Sequence, residues 1–189
     1  MKNTPTIILA STSPRRRELL ASAGVEFTVV PSHAEEVADD SLPAADIAMT
    51  NARLKAQAVE ADHPDELVIG ADTVVALDGH VYGKPRDDAD AQRMLSELSG
   101  QTHVVITGVS LVKGEHSRTF AEQTLVTFKQ LSPKQIAEYV ATGEPADKAG
   151  AYGIQGLGGA LVNHIEGDYN NVVGLPADRL LEELAHFEG

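Results

Sequence analysis

From Leu67 to Leu77 the chain reads Leu-Val-Ile-Gly-Ala-Asp-Thr-Val-Val-Ala-Leu, apolar or glycine throughout except at Asp72-Thr73. A continuous apolar run of this kind, rich in β-branched residues, reads as a central strand buried on both faces. Any fold that contains it must supply strands beside it and layers above and below. A carboxylate in the middle of such a strand is expensive unless it is paired, hydrogen-bonded or bound to metal. Asp72 therefore has two readings on this segment alone. It is a functional group at a strand end or bend, where α/β proteins place their active sites, or a turn or capping aspartate.

The flanking sequence supplies the layers. Thr6–Ala10 reads as a second buried strand, and Ser13 followed by Pro14 marks a helix start with Gly24 as its stop. Phe27–Val30 reads as a strand and Ser32–Ser41 as an acidic loop. A helix from about Pro43 to Ala61 is expected to carry Ile47, Asn51, Leu54 and Ala58 on one stripe. Asp78-Gly79 is a hairpin signal before Val81-Tyr82. Asp88–Leu98 sets Ala91, Met94, Leu95 and Leu98 on one helical face. Long strands are expected near His103–Val112 and Thr119–Phe128, turning at Lys113-Gly114-Glu115. Ser132-Pro133-Lys134-Gln135 is a capping-box start, with Ile136, Tyr139 and Val140 facing inward. Within the glycine-rich stretch Gly150 to Gly159, Gly153–Gly159 reads as a flexible loop able to close over a ligand, or as a crowded turn. A strand at Leu161–Ile165 and a helix from Pro176 to about Phe187 complete the pattern. The alternation predicts an α/β protein with a mixed sheet. Its 189 residues suit one domain or two small lobes sharing a core, and no linker divides them.

Composition removes several function classes. With no cysteine there are no disulfides, thiolate zinc sites, iron–sulfur clusters or cysteine nucleophile. Tryptophan is absent and aromatics are 4%, which argues against base-stacking platforms. Fifteen basic against 28 acidic residues give a net charge of −13, which repels nucleic acid and anionic membrane. The apolar runs fall far short of the ~18 residues of a membrane span, and Met1–Pro5 lacks the apolar core of a signal peptide. The expectation is a cytoplasmic protein with neither nucleic-acid nor membrane partners.

Against that acidic background, Ser11-Thr12-Ser13-Pro14-Arg15-Arg16-Arg17 stands out. Arginines in the first turn of a helix oppose its dipole, at about 0.3–1 kcal/mol each. Beside backbone N–H groups and serine hydroxyls they read as a phosphate cradle, or else as a solvated charge run paired with Glu18. Glu35-Glu36 offers a second carboxylate from the acidic loop, or simply solvated charge. With Asp72 it would give oxygen ligands for a hard cation such as Mg²⁺ or Mn²⁺. Lys84, in Gly79-His80-Val81-Tyr82-Gly83-Lys84-Pro85, grazes the P-loop pattern, but the glycines are too close and Pro85 replaces the required Ser or Thr. It is left as a phosphate contact or a surface lysine. The seven histidines show no paired ligand spacing, and no Gly-x-Ser-x-Gly elbow occurs.

Several segments in order resemble the Maf family of nucleoside triphosphate pyrophosphatases, once named for inhibition of septum formation. They are Ser11-x-Ser13-Pro14-Arg15-Arg16, Asn51-Ala52-Arg53-x-Lys55-Ala56, Gly70-Ala71-Asp72-Thr73-Val74-Val75, Gly83-Lys84-Pro85 and Thr107-Gly108-Val109. Asp147-Lys148-Ala149-Gly150-Ala151-Tyr152-Gly153-Ile154-Gln155-Gly156 and Gly167-Asp168-Tyr169-x-Asn171-Val172-Val173-Gly174-Leu175-Pro176 follow. The resemblance implies an α/β, two-lobed Maf/ITPase-like fold, with an elongated twisted mixed sheet, a central cleft and one domain over 1–189. It implies hydrolysis of a nucleoside triphosphate to monophosphate and pyrophosphate with a divalent metal held by Glu36 and Asp72, and a homodimer. Carried over by motif, Asp72 is the proton acceptor, and Glu36, Lys55 and Lys84 are catalytic-site groups. Ser13 and Arg16 fall in the substrate-binding motif, and Arg15, Thr73 and Gln155 at positions linked to substrate choice. The Asp147–Gly156 segment resembles the branch acting on dTTP and UTP. The alternative from another class is a nucleotide-binding regulator of cell division that needs no turnover. A scaffold protein is third.

Overall fold

The computed structural model describes residues 6–39 and 41–187; the expectation attached to Met1–Pro5 and residue Asp40 of the acidic loop lie outside them. The described elements run β1 (Ile7–Leu9), α1 (Pro14–Ser22), β2 (Thr28–Val29), α2 (Ala44–Glu60), β3 (Leu67–Leu77), β4 (His80–Tyr82), α3 (Asp88–Leu98), β5 (Thr102–Lys113), β6 (His116–Phe128), α4 (Pro133–Ala141), β7 (Val162–Glu166), α5 (Tyr169–Val173) and α6 (Ala177–His186). Short 3₁₀ turns at Glu144–Asp147, Ala149–Ala151 and Leu157–Leu161 take up the glycine-rich stretch. No helix among the described residues is long and apolar enough to cross a membrane.

β3 is the axis of a mixed open sheet ordered β2-β1-β3-β5-β6-β7, with β4 also pairing β3. β5 runs antiparallel along β3 from Val68 to Ala76. On the other edge, β1 pairs in parallel with Leu67–Ile69, and β4 pairs antiparallel with Val75–Leu77. Between them, residues 70–74 of β3 have a strand neighbour on one side only. The sheet is thus notched where its parallel and antiparallel parts meet, and Asp72-Thr73 sits in the notch. This is the strand-order reversal at which α/β sheets open a crevice. Asp78 and Gly79, with φ of 51° and 81°, make the expected hairpin turn below it.

Helix α2 covers one face of the notch unusually closely. A Cβ at Gly70 would run into the Ala52 carbonyl oxygen, and one at Gly108 into the Ala48 carbonyl. Only glycine lets the helix backbone lie directly on the strands. The face that meets the sheet is accordingly the small-residue face, Ala48, Ala52 and Ala56, with Ile47, Asn51 and Val59. The expected stripe is rotated as a result: Leu54 is half-buried and Ala58 exposed. Bulk was a poor guide because the sheet has no room for it here.

Two of the apolar clusters lie on either side of the notch, while Ile47, Ala48, Val74 and Ile106 pack at it. Val75, Tyr82, Leu95, Leu98, Phe128, Ile136, Tyr139 and Tyr152 form one cluster, built from α3, α4 and the far end of the sheet. Leu9, Leu20, Ile69, Val109, Leu111, Leu175 and Leu180 form another under α1 and α6. The capping box at Ser132–Gln135 is present, and α3 starts on an Asp87 cap. The short helix α5, capped by Asp168, was not expected from periodicity because one and a half turns carry too little of it.

Candidate active site

Alternation along β3 turns Asp72 toward α2 and Thr73 to the opposite face. Asp72 is 7% exposed. Lys55 Nζ lies 3.1 Å from its Oδ1, and Asn51 Nδ2 donates to its Oδ2 at 3.2 Å. Asn51 and Lys55 are one helical turn apart, so α2 delivers both onto the same carboxylate. Asn51 also clasps the acidic loop, accepting from the Val37 N–H at 2.6 Å and donating to the Val37 carbonyl at 3.1 Å. That clasp brings the neighbouring Glu36 to 2.8 Å from Lys55 Nζ. One ammonium therefore bridges the two carboxylates. Partial burial works to raise the Glu36 carboxyl, but the Lys55 hydrogen bond and charge, aided by Lys84 and Arg16, leave it below its ordinary value.

On the other face, Arg16 is fixed by two contacts. Its Nε donates to the Gly174 carbonyl at 2.8 Å and its Nη2 to Thr73 Oγ1 at 3.0 Å. Burial lowers the guanidinium's pKa while the Asp72 charge raises it; an arginine stays charged regardless. Ser13 caps α1, its Oγ accepting from the Arg16 N–H at 3.4 Å. Pro14 has no N–H, so the helix end offers an anion fewer amides than its sequence implied. The guanidinium groups of Arg15 and Arg16 line the cleft beside it. Arg17, the third arginine, is exposed and does not line the cleft.

The cleft over the notch has a volume of about 740 Å³, and Ser13, Arg15, Arg16, Glu36, Lys55, Asp72, Thr73, Lys84 and Gln155 all line it. Arg15 Nη1 reaches Asp147 Oδ2 at 3.9 Å. Lys84 stands exposed just beyond β4. Gln155 belongs to a tethered segment, which replaces the flexible-loop reading. Glu144 Oε1 accepts from the Gly158 N–H and Oε2 from the Leu157 N–H, both at 3.0 Å. Tyr139 Oη donates to Glu144 at 2.7 Å and accepts from the Gly153 N–H at 3.0 Å. Partial burial pushes the Glu144 carboxyl up, and these hydrogen bonds hold it below its usual range.

Sequence reasoning placed Asn51 on the buried stripe of its helix and Tyr139 facing inward, as found, but gave neither them nor Glu144 a role in the site. The signal for Asn51 was a polar side chain among buried helix positions; for the other two there was none, since their partners are backbone groups of a loop. Glu36 and Asp72 fit a hard divalent cation: both are carboxylates lining one cleft, and they already share a positive charge. Among the described residues no group of three or more His, Asp or Glu side chains is placed to hold a metal, so substrate oxygens and water would complete such a shell.

The Maf-like protein family matches residues 6–187. The chain is 52% identical over 181 residues to the dTTP/UTP pyrophosphatase of Bacillus cytotoxicus, covering 96% of this chain and 95% of that one. It is 51% identical over 185 residues to the dTTP/UTP pyrophosphatase of Gloeobacter violaceus, covering 98% and 97%. Among solved structures, the Ham1 protein of Staphylococcus aureus superposes with a TM-score of 0.56 at 14% identity, over 96% of this chain and 98% of that one; this likeness concerns the fold alone. With the family matched across the sheet, the notch and every segment that lines the cleft, the chain belongs to the Maf family.

Proposed function

We propose that this chain hydrolyses dTTP and UTP to the nucleoside monophosphate and pyrophosphate, with Asp72 as proton acceptor. The observation that carries the reading is the buried Asp72 carboxylate, oriented by Lys55 and Asn51, in a cleft whose rim supplies Arg15, Arg16 and Lys84. The names of the relatives support the choice of nucleotides. A triphosphate brings several negative charges to a chain of −13, so its binding depends on this local cluster of cations. Asp72 takes a proton from a water that adds to the α-phosphorus. The bond from that phosphorus to the α,β-bridging oxygen breaks, and pyrophosphate leaves with the bonding pair. Lys55 orients the carboxylate, while Arg16 and Lys84 take up charge on the phosphate oxygens. A divalent cation, Mg²⁺ or Mn²⁺ on Glu36 and Asp72, supplies further neutralisation of phosphate charge when bound. The same reading extends to a homodimer in the cytoplasm, on the strength of the family resemblance.

The test is pyrophosphate release from UTP, dTTP, CTP and GTP with Mg²⁺, with Mn²⁺ and with chelator. Metal-dependent release from UTP and dTTP at kcat/KM at least about tenfold above the others is expected. Tight binding with no release from any nucleotide would replace the hydrolase by a nucleotide-binding regulator.

A further inference from the structure

Thr107 sits opposite Thr73 in the β3–β5 ladder and is fully buried, so it cannot touch a ligand. Its hydroxyl lies 3.1 Å from the Asn171 carbonyl oxygen and 2.9 Å from Thr73 Oγ1. A carbonyl only accepts, so the single Thr107 proton goes to Asn171. The hydrogen bond between the two threonines must then use the Thr73 proton. Thr73 Oγ1 also accepts from Arg16 Nη2 at 3.0 Å. Its proton and one lone pair are spent inside the protein, and one lone pair remains for the cleft.

The acceptor that sets this chain of protons is itself fixed. The Asn171 side-chain Nδ2, with two protons to donate, lies within hydrogen-bond distance of three acceptors, the Val105 carbonyl at 3.2 Å, the Glu122 carbonyl at 3.1 Å and Thr124 Oγ1 at 3.1 Å. These contacts pin α5 to the sheet, so its carbonyl cannot turn away from Thr107.

A hydroxyl with only a lone pair to offer is useless to an ionised phosphate, whose oxygens are acceptors too. It can accept only from a donor, and on a nucleoside triphosphate with an ionised phosphate chain the donors belong to the nucleoside. Uracil and thymine present N3–H as a donor in the middle of their pairing edge, whereas cytosine presents a bare N3 acceptor there. We propose that Thr107 is a specificity-determining positioning residue: by fixing Thr73 as an acceptor it selects for N3–H and against cytosine. This rests on the dTTP/UTP reading above. Lone pair against lone pair leaves a cytosine nucleotide with an unmet, repelled contact, the kind of mismatch by which hydrogen-bonding sites discriminate strongly.

The test is kcat/KM for UTP and CTP in the parent, Thr107→Val and Thr107→Ser. In Thr107→Val the Thr73 proton loses its acceptor and turns toward the cleft, where it can serve N3 of cytosine. The UTP/CTP ratio is expected to fall about tenfold or more, while Thr107→Ser, which keeps the hydroxyl, stays within about threefold of the parent. A merely structural loss lowers both substrates together and leaves the ratio unchanged; that result overturns the proposal. Should Thr107→Val not fold, Thr73→Val tests the same acceptor: it also frees Arg16, so both efficiencies fall, but UTP is expected to fall further than CTP, and an equal fall in both overturns it. A parent that hydrolyses UTP and CTP equally well removes the dTTP/UTP reading as well, whereas a discriminating parent with an unmoved ratio removes only the role of Thr107.

Discussion

At the scale of single residues, Asp72 is where burial and charge conflict most sharply. Its carboxylate is tolerated inside an apolar strand because Lys55 and Asn51 satisfy both oxygens. Asp72→Asn keeps the shape but loses the proposed base, and it turns an amide N–H₂ or a weaker acceptor toward those two donors. Turnover of UTP is expected to fall by about 10²–10⁴-fold with nucleotide binding retained in calorimetry. Turnover within a few-fold of the parent at equal metal removes Asp72 as the base. His103 makes a different use of burial. It is 1% exposed, its Nε2 is 2.6 Å from Tyr152 Oη, and its Nδ1 has no partner among the described residues. Desolvation pushes its pKa down to about 4. In the unfolded chain it titrates near 6.5, so between those values the unfolded state binds the extra proton. The stabilisation is present above that window and drains away as pH falls through it, by about 2 kcal/mol between pH 7 and pH 5. Urea unfolding of His103→Phe should show that much less loss on acidification; an unchanged acid dependence contradicts it. Asp72 was legible in the sequence because a charge in an apolar strand is a local anomaly. His103 was not, because nothing local distinguishes a buried histidine from an exposed one.

At the scale of elements, much of the chain was legible where the signal is local. The Ser13-Pro14 and Ser132–Gln135 helix starts, the Asp78-Gly79 hairpin and the apolar faces of α3 and α4 all follow from spacing within a few residues. The facing surface of α2 was misjudged because it is set by Gly70 and Gly108, which belong to strands far along the chain. The β3–β5 register, which places Thr107 opposite Thr73, is likewise non-local: β4 and α3 intervene. The Gln155 segment is the third case. Its glycines left a flexible loop and a crowded turn both open, and Glu144 and Tyr139, which decide for the turn by holding it at Gly153, Leu157 and Gly158, carry no local signal. In Glu144→Gln one carboxylate oxygen becomes an N–H₂ facing a backbone donor, at a cost of about 1–3 kcal/mol. Hydrogen exchange at the Leu157 and Gly158 amides is expected to accelerate while β3 and β5 stay protected, and KM for UTP to rise more than kcat falls. Unchanged protection at those two amides contradicts the tether.

At the scale of the molecule, two apolar clusters flank the notch in the sheet, and the cleft gathers groups from both sides. Arg15 and Arg16 come from α1, Asp72 and Thr73 from β3, Lys55 from α2, and Lys84 and Gln155 from beyond β4 and α4. On a chain of net charge −13, that cluster of cations suits a polyphosphate, and the buried Asp72 carboxylate is proposed to act on it. What separates this arrangement from any other triphosphate hydrolase is the phosphorus that water attacks. Product analysis alone does not answer it, since attack on the α- or the β-phosphorus yields the same monophosphate and pyrophosphate. Hydrolysis of UTP in ¹⁸O-water, read by mass spectrometry after a single turnover, does. Attack at the α-phosphorus places one ¹⁸O in UMP and none in pyrophosphate; label in pyrophosphate, or in orthophosphate with UDP as the product, would contradict it.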